Sequence, residues 1–280
     1  MKLAVIGASG LVGAELVRQA RARSIPAVGA ARNVQGEATQ SVDLADPKSI
    51  ARFLAEHSPT HVVVGSAWPY VDGCEQDPAR SHRANVETVA NLIAEAPKET
   101  VVVFFSTDHV FDGEKKSAYV ESDATHPLSV YARHKLETEN LLLERGNALV
   151  VRTAWAFGEE LGKKNFVYRV KTVAERGETL EVPVDQSGCP TWTGWLTRTT
   201  LSLLETKMTG VLHATGREAF TKAEWARAIA EALGLQLRVQ EVSWEKSGQI
   251  APRPVRVALT SERHSLVQPP VRELLAALSL

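Results

Sequence analysis

Tyr131 and Lys135 stand four residues apart in the segment Tyr-Ala-Arg-His-Lys. If this segment is helical, the two side chains share one face of the helix. A phenol titrates at about pH 10 and is a poor acid or base at neutral pH, but a nearby ammonium favours the phenolate and lowers its pKa. The spacing therefore predicts a proton-transfer pair in which Lys135 lowers the pKa of Tyr131.

A glycine-rich segment, Gly-Ala-Ser-Gly-Leu-Val-Gly at 7–13, follows the first predicted strand directly and opens a helical pattern. Glycines allow a tight turn and a close approach of the backbone to a pyrophosphate, which the helix N-terminus then binds. The spacing is G-x-x-G-x-x-G rather than G-x-G-x-x-G. The segment predicts a dinucleotide site with these binding residues: Gly7, Ser9, Gly10, Leu11, Val12 and Gly13.

The residues after the second predicted strand indicate which dinucleotide is bound. An NAD site usually carries Asp or Glu about 20 residues on, where it accepts from the ribose 2′-OH. Here no acid occurs before Glu37, and Arg32 can pair with a 2′-phosphate instead. We therefore expect NADP(H) to be preferred over NAD(H), the alternative being that Arg32 is only a solvated surface residue. Asp43 and Leu44 are expected at the adenine edge.

A polar segment, Ser-Thr-Asp-His-Val-Phe-Asp-Gly at 106–113, comes directly after a buried predicted strand. Thr107 would then lie at the carboxyl end of a parallel strand, where open α/β sheets bind ligands. Its hydroxyl can polarise a carbonyl oxygen alongside Tyr131. The alternative is an ordinary polar turn.

The elements that would position these residues alternate along the chain. Short apolar, β-branched runs predict strands over 3–6, 26–30, 61–64, 101–106 and 149–152, and amphipathic patterns predict helices over 11–23, 47–57, 78–96 and 130–145. Strands that are apolar throughout are typical of a sheet covered on both faces. The pattern predicts the α/β class, with a Rossmann-type, doubly wound parallel sheet.

After about residue 155 the alternation loosens. Helical patterns recur over 165–176, 194–205 and 221–233, short strands are expected near 180–182, 211–214 and 237–243, and a final short helix ends the chain. We therefore divide the chain into a dinucleotide-binding domain over 1–155 and a smaller C-terminal substrate-binding lobe over 156–280, whose segments can interleave with the first.

Composition excludes several classes of protein. Hydrophobic residues make up 44% and charged residues 23%, an ordinary globular composition that excludes disorder. A net charge of -1 gives no overall basic field for nucleic acid or an anionic membrane. Cys74 and Cys189 are too far apart in sequence for a metal cluster, so no metal site is expected.

No apolar run reaches the roughly 20 residues of a membrane span, and the first run, which stops at Gly7, is too short for a signal peptide. We expect a cytoplasmic protein.

The motifs together resemble those of the extended short-chain dehydrogenase/reductases, and more closely the dTDP-4-dehydrorhamnose reductase family. That family's signature runs S-T-D-Y-V-F-D-G, then a Y-x-x-x-K helix, then R-T-x-W-x-x-G. The matching segments here are 106–113, 131–135 and 152–158. Shorter similar pieces lie at 71–72, 84–87, 165–166, 185–191 and 253–254, so the resemblance covers nearly the whole chain in order.

The resemblance implies an NADPH-dependent reductase of a 4-keto-6-deoxy sugar nucleotide with three catalytic residues, Thr107, Tyr131 and Lys135. Tyr131 would donate a proton to the sugar ketone while the reduced nicotinamide delivers hydride, and Lys135 would hold the nicotinamide ribose. Further cofactor-binding residues would be Gly65, Ser66, Ala67, Asn85, Ser106, Thr153 and Trp155. The nucleotide-sugar substrate would contact Asp108, His109, Trp155, Asn165 and Arg253.

Two departures and two rival functions accompany the resemblance. His109 stands where the family has tyrosine, and Trp68 follows a Gly-Ser-Ala stretch where the family has N-A-A. A sugar-nucleotide epimerase or dehydratase is less favoured, because the related dehydratases carry Asp-Glu after the threonine and this chain carries Asp108-His109. A non-catalytic dinucleotide-binding subunit, similar to the regulatory subunit of methionine adenosyltransferase, is the other rival. The sequence leaves the oligomeric state open, a homodimer included.

Overall fold

The computed structural model describes residues 1–278, and the strands and helices of this range alternate as predicted. The strands are β1 Leu3–Ile6, β2 Ala27–Ala31, β3 Gln40–Ser41, β4 His61–Val64, β5 Val101–Thr107, β6 Ala148–Thr153, β7 Ala156–Phe157, β8 Thr179–Pro183, β9 Ser187–Gly188, β10 Thr191–Trp192, β11 Gly210–His213, β12 Phe220–Thr221 and β13 Arg238–Val242. The α-helices are α1 Leu11–Ala22, α2 Pro47–His57, α3 Val71–Gln76, α4 Pro78–His82, α5 Thr88–Glu95, α6 Val130–Arg145, α7 Phe166–Glu175, α8 Thr193–Glu205, α9 Lys222–Ala232 and α10 Val271–Ala276.

Within these residues, seven strands form one parallel sheet in the order β11-β6-β5-β4-β1-β2-β3. Alternate residues of a strand point to opposite faces. Leu3 and Val5 of β1 therefore pack under α1 and α8, while Ala4 and Ile6 pack under α2, α5 and α6. Both faces of the sheet are covered, which confirms the Rossmann-type, doubly wound architecture.

The predicted elements match the structure where the apolar pattern is strongest. β1, β4, α2 and α6 have the predicted bounds. Asp46 caps α2 by accepting from the Lys48 amide at 3.0 Å, and Pro47 follows it at the first helical position. The single helix predicted over 78–96 is instead α4, a π-helical turn at Arg83–Glu87, and α5.

Segments after residue 155 contribute both to the central sheet with its helices and to the C-terminal lobe. β11 pairs with β6 and extends the central sheet, and α8 packs beside α1 on one face of that sheet. The remaining segments build a lobe around the parallel β8–β13 pair, whose core includes Trp225. α9 of this lobe begins with a capping box, since Thr221 and Glu224 bond to each other's backbone amides.

Among residues 1–278, no helix has both the length and the apolar character that crossing a membrane requires.

Candidate active site

The loop between β1 and α1 needs glycine at two positions. Gly7 has a φ of 91°, and a Cβ there would lie 2.5 Å from the Ser66 amide nitrogen. A Cβ at Gly13 would lie 2.3 Å from the Gly7 carbonyl oxygen. At Gly10 the nearest such atom is 3.4 Å away, so this position is less restricted. Gly10 precedes α1 without a side-chain cap, which leaves the first amides of the helix available to an anion.

A groove of about 580 Å³ runs from this loop along the carboxyl ends of β1, β2, β3 and β4. The predicted cofactor residues that line it are Gly7, Ser9, Arg32, Asp43, Leu44, Ser66 and Ala67. Gly10, Leu11, Val12, Gly13 and Gly65 lie in the adjoining backbone at the start of α1 and the end of β4.

Arg32 and Asp43 occupy the part of the groove that β2 and β3 form. Arg32 is exposed, and among residues 1–278 its guanidinium makes no ion pair. The Asp43 carboxylate accepts from the Ala45 amide at 2.9 Å, which fixes the turn after β3. A free cation therefore faces the groove where an acid would otherwise bind a ribose hydroxyl.

Asn85 does not line the groove, but lies beneath it. Its side chain is 2% exposed and holds the backbone of Trp68, accepting from the amide at 2.8 Å and donating to the carbonyl at 3.2 Å. Asn85 thus fixes the loop after β4.

The groove is also lined by residues that were not assigned to the site from the sequence, namely Trp68, Arg80 and Arg83. The Arg80 guanidinium lies 4.3 Å from the centre of the Trp68 ring.

The ends of β5 and α6 bring Thr107, Tyr131 and Lys135 together. Ser129 caps α6 by accepting from the Ala132 amide, so Tyr131 lies in the first turn of the helix. The Thr107 hydroxyl donates to Asp108 Oδ1 at 3.2 Å and accepts from the His109 amide at 3.2 Å, and it lies close enough to Tyr131 to act on the pKa of that phenol. One turn further along α6, the Lys135 ammonium is 2% exposed and donates to the Phe105 carbonyl of β5 at 2.7 Å.

Burial sets the protonation of this cluster. It raises the pKa of Tyr131 well above its ordinary value, and the Asp108 and Cys74 side chains add to the rise while Thr107 opposes it. Burial lowers the pKa of Lys135 to about 7, with Glu139 opposing. The prediction that Lys135 lowers the pKa of Tyr131 is therefore wrong, because desolvation of the phenol dominates. Tyr131 keeps its proton at neutral pH, as a proton donor must.

Three buried polar atoms next to the cluster have no hydrogen-bond partner among residues 1–278. They are Ser106 Oγ, Thr153 Oγ1 and His109 Nδ1. Ser106 and Thr153 lie at the ends of the neighbouring strands β5 and β6, where Thr107 and Thr153 are paired in register. Buried polar groups are almost always hydrogen-bonded, so these atoms fit a polar ligand held at the carboxyl edge of the sheet.

A second cavity, of about 270 Å³, lies between this edge and the C-terminal lobe. The predicted substrate residues that line it are Asp108, His109, Trp155 and Arg253. The His109 ring stands at 87° to the Tyr131 ring with centroids 6.2 Å apart, which places the cavity beside Tyr131. Burial lowers the pKa of His109 and raises that of Asp108.

Arg253 is fixed in this cavity by a carboxylate. Its guanidinium donates to Asp72 Oδ2 at 3.0 Å, and Asp72 Oδ1 accepts from the amides of Ile250 and Ala251. Burial acts to raise the pKa of Asp72, but these bonds and the Arg253 charge lower it overall. Asp72 thus pins the 250–253 segment to α3 and compensates the charge of Arg253.

Asn165 does not line the cavity, because both of its polar groups bond elsewhere. Its Oδ1 accepts from the Val167 amide and caps α7, and its Nδ2 donates to the Gly158 carbonyl at 2.9 Å. The lobe contributes further lining residues that were not assigned to the site from the sequence: Phe166, Arg169, Glu181, Gln186, Lys222 and Gln249. Trp155 packs flat against Gly188, where a Cβ would lie 2.6 Å from its ring.

The dinucleotide loop and the tyrosine–lysine helix on a doubly wound sheet define an extended short-chain dehydrogenase/reductase, a class of NAD(P)-dependent oxidoreductases. Within this class the chain belongs to the family described as RmlD substrate binding domain, whose model matches residues 1–277.

Three known proteins illustrate the similarity. A dTDP-4-dehydrorhamnose reductase of Burkholderia thailandensis is 36% identical over 227 residues, which cover 77% of this chain and 72% of that protein. A dTDP-4-dehydrorhamnose reductase of Mycolicibacterium smegmatis is 31% identical, covering 94% of this chain and 79% of that protein. The crystal structure of a dTDP-4-dehydrorhamnose reductase of Bacillus anthracis, in complex with NADP, has a TM-score of 0.90 at 23% identity and covers 99% of each chain, which shows the shared fold.

Proposed function

We propose that the chain reduces the keto group of a 4-keto-6-deoxy sugar nucleotide with NADPH. The observation that carries the proposal is the position of Tyr131 beside the cavity of the lobe: its ring centroid lies 6.2 Å from that of His109, which lines the cavity, and burial keeps the phenol protonated. The relatives named as dTDP-4-dehydrorhamnose reductases support the substrate class.

The groove residues fit a phosphorylated dinucleotide. The glycine loop and the first amides of α1 would hold the pyrophosphate, Arg32 the 2′-phosphate, and Ser106 and Thr153 the polar groups at the nicotinamide end. The chemistry that the reduced nicotinamide supplies when bound is hydride transfer to the carbonyl carbon.

The remaining chemistry belongs to the side chains of the cluster. The Thr107 hydroxyl orients the carbonyl oxygen, and Tyr131 donates its proton to that oxygen as negative charge develops there. An alkoxide is a far stronger base than a phenolate, so a raised pKa of Tyr131 does not prevent the transfer. Lys135 contributes a positive charge to the cluster, and its hydrogen bond to the Phe105 carbonyl holds the ammonium in place.

The test of this function is NADPH oxidation with a panel of dTDP- and UDP-linked 4-keto-6-deoxy sugars, followed by identification of the reduced sugar. Turnover with one of them supports the proposal. Tight NADPH binding with no turnover across the panel would instead favour a non-catalytic dinucleotide-binding subunit. Loss of water from a hydroxylated sugar nucleotide would favour a dehydratase.

The Arg32→Ala variant is expected to lose the preference for NADP(H). Arg32 is the exposed cation next to Asp43 in the groove, and a charge-assisted bond to a phosphate contributes roughly 1.5–3 kcal/mol. Titration calorimetry with NADPH and NADH should show NADPH binding weakened by about tenfold or more, with NADH binding little changed. If the unaltered protein bound NADPH and NADH with equal affinity, Arg32 would not select between the two cofactors.

The Arg253→Ala variant is expected to raise the KM for the sugar nucleotide and leave NADPH affinity unchanged. Arg253 lines the cavity of the lobe, outside the dinucleotide groove. Loss of binding energy common to the ground and transition states lowers kcat less than kcat/KM. Steady-state kinetics on both substrates decide the point, and weaker NADPH binding with an unchanged sugar KM would place Arg253 outside the substrate site.

A further inference from the structure

The substrate cavity contains three cations from three separate elements of the lobe. Arg169 comes from α7, Lys222 from the start of α9, and Arg253 from the 249–257 segment. Asp72 compensates the charge of Arg253 at 3.0 Å. Among residues 1–278, no carboxylate oxygen lies within 4.0 Å of the side-chain nitrogens of Lys222 or Arg169. The cavity therefore holds two cations whose charges are not paired.

Lys222 is in an unfavourable position for an ammonium group. It is the first residue of α9, at the positive end of the helix dipole. Its Nζ lies 3.4 Å from the centre of the Trp155 ring and 5.0 Å from that of Phe166, so two aromatic side chains hold it inside the cavity. Two cation–π contacts offset part of the cost of desolvating it, but an apolar residue could fill this position without that cost.

The charged and titratable groups that line the cavity with Lys222 are Asp108 and His109 after β5, Arg169 on α7, Glu181 on β8, and Arg253. Burial lowers the pKa of Lys222 to about 7; Asp108 opposes this, while Arg253 and Arg169 add to it. An unpaired ammonium at a helix N-terminus departs from the charge that this position normally favours. A residue of this kind that lines a cavity is a candidate functional residue.

We propose that Lys222, together with Arg169, binds the diphosphate of the nucleotide sugar. The inference rests on the proposed function, which supplies a ligand with two adjacent anionic phosphates. Two unpaired cations match such a group in charge, and the aromatic faces of Trp155 and Phe166 fix the Lys222 ammonium in its binding position. Arg253, already paired with Asp72, then contributes mainly by shaping the cavity wall.

The proposal predicts that diphosphate binding is linked to proton uptake. A phosphate next to Lys222 favours the ammonium and raises its pKa above the unbound value of about 7. The contribution of Lys222 to affinity is thus complete below that unbound pKa. It is lost as the pH rises through the higher pKa of the bound state, so dTDP should bind more weakly at alkaline than at neutral pH.

The experiment is titration calorimetry of dTDP and of thymidine into the NADP⁺-saturated protein, which prevents dTDP from entering the cofactor groove. The variant is Lys222→Met, which keeps an unbranched apolar stem for the Trp155 and Phe166 contacts and removes the charge. The control is Lys48→Met, which removes an exposed lysine from the first turn of α2, outside the cavity. Each titration is repeated in two buffers of different ionisation enthalpy to count the protons taken up.

We expect Lys222→Met to weaken dTDP binding by about 10- to 100-fold, to leave thymidine binding unchanged, and to abolish proton uptake. Lys48→Met should match the unaltered protein. Unchanged dTDP affinity in Lys222→Met, or an equal loss for thymidine, would overturn the inference while leaving the proposed function standing. If neither dTDP nor UDP, titrated in the same way, bound to the unaltered protein, both the inference and the proposed function would fail.

Discussion

The Tyr131→Phe variant is expected to bind NADPH as the unaltered protein does and to lose most of its turnover of a keto-sugar nucleotide. The substitution removes only the phenolic oxygen and its proton, while Thr107 and Lys135 keep their places on β5 and α6. Groups that transfer a proton in the transition state typically contribute about 100- to 10,000-fold to rate. We expect kcat to fall within that range, measured as NADPH oxidation under saturating substrate.

The control for this variant is Tyr70→Phe. Tyr70 is 56% exposed and lies outside both the groove and the cavity, so the same chemical change there should leave kcat unaltered. Titration with NADPH separates a catalytic defect from a folding defect, because a misfolded variant would lose cofactor binding as well. A Tyr131→Phe variant that reduced the keto sugar at the unaltered rate would show that the proton comes from another group.

The pH dependence follows from the direction of the pKa shift. Since burial raises the pKa of Tyr131, its proton-donating form persists throughout the neutral range. Titration of Tyr131 should therefore not lower the rate of reduction as the pH rises through neutrality. Burial lowers the pKa of Lys135 to about 7 and that of Lys222 to about 7 as well, so a fall in rate near that pH reports on one of these lysines rather than on Tyr131.

Local patterns in the sequence predicted the central sheet because its strands and helices are defined by contiguous residues. β1 is apolar throughout, β4 is apolar after His61, and α2 begins with a capping aspartate and a proline, so their bounds follow directly from the sequence. The two-residue strands β3, β7, β9, β10 and β12 carry too few residues to form a pattern. They depend on contacts with distant segments, which the sequence does not display.

The cofactor half of the site was more accessible to sequence reasoning than the substrate half. Spacing revealed the glycine loop and the Tyr131–Lys135 pair, but not that burial raises the pKa of Tyr131. Lys222 belongs to no motif and meets Arg169 only because α7 and α9 pack side by side. Asn165 caps α7, and its predicted contact with the substrate stays a prediction.

A buried ion pair connects α6 to the central sheet. Arg152 of β6 binds Glu139 of α6 through three hydrogen bonds of 2.7–3.2 Å, and the two side chains are 5% and 1% exposed. Glu139 lies one turn beyond Lys135 on the same helix face, and Thr153 follows Arg152 at the end of β6. The pair thus fixes α6 relative to the strand edge where Thr107, Tyr131 and Lys135 come together.

The Arg152→Met variant is expected to lose about 3–5 kcal/mol of unfolding free energy, because it leaves the Glu139 carboxylate buried without its partner. That loss corresponds to a melting temperature lowered by roughly 6–12 °C for a domain of this size. The exposed pair Arg227–Glu241 provides the control, since its side chains are 56% and 36% exposed. Arg227→Met should change stability by no more than about 1 kcal/mol.

The double variant Arg152→Met/Glu139→Met separates the cost of an unpaired charge from the loss of the pair itself. Replacing both partners by apolar side chains removes the buried charge, and such replacements are often close to neutral in stability. We therefore expect the double variant to recover most of the loss, even if Arg152→Met alone is too unstable to purify. Equal melting temperatures for Arg152→Met and Arg227→Met, or a double variant no more stable than Arg152→Met, would show that the ion pair does not anchor α6 in this way.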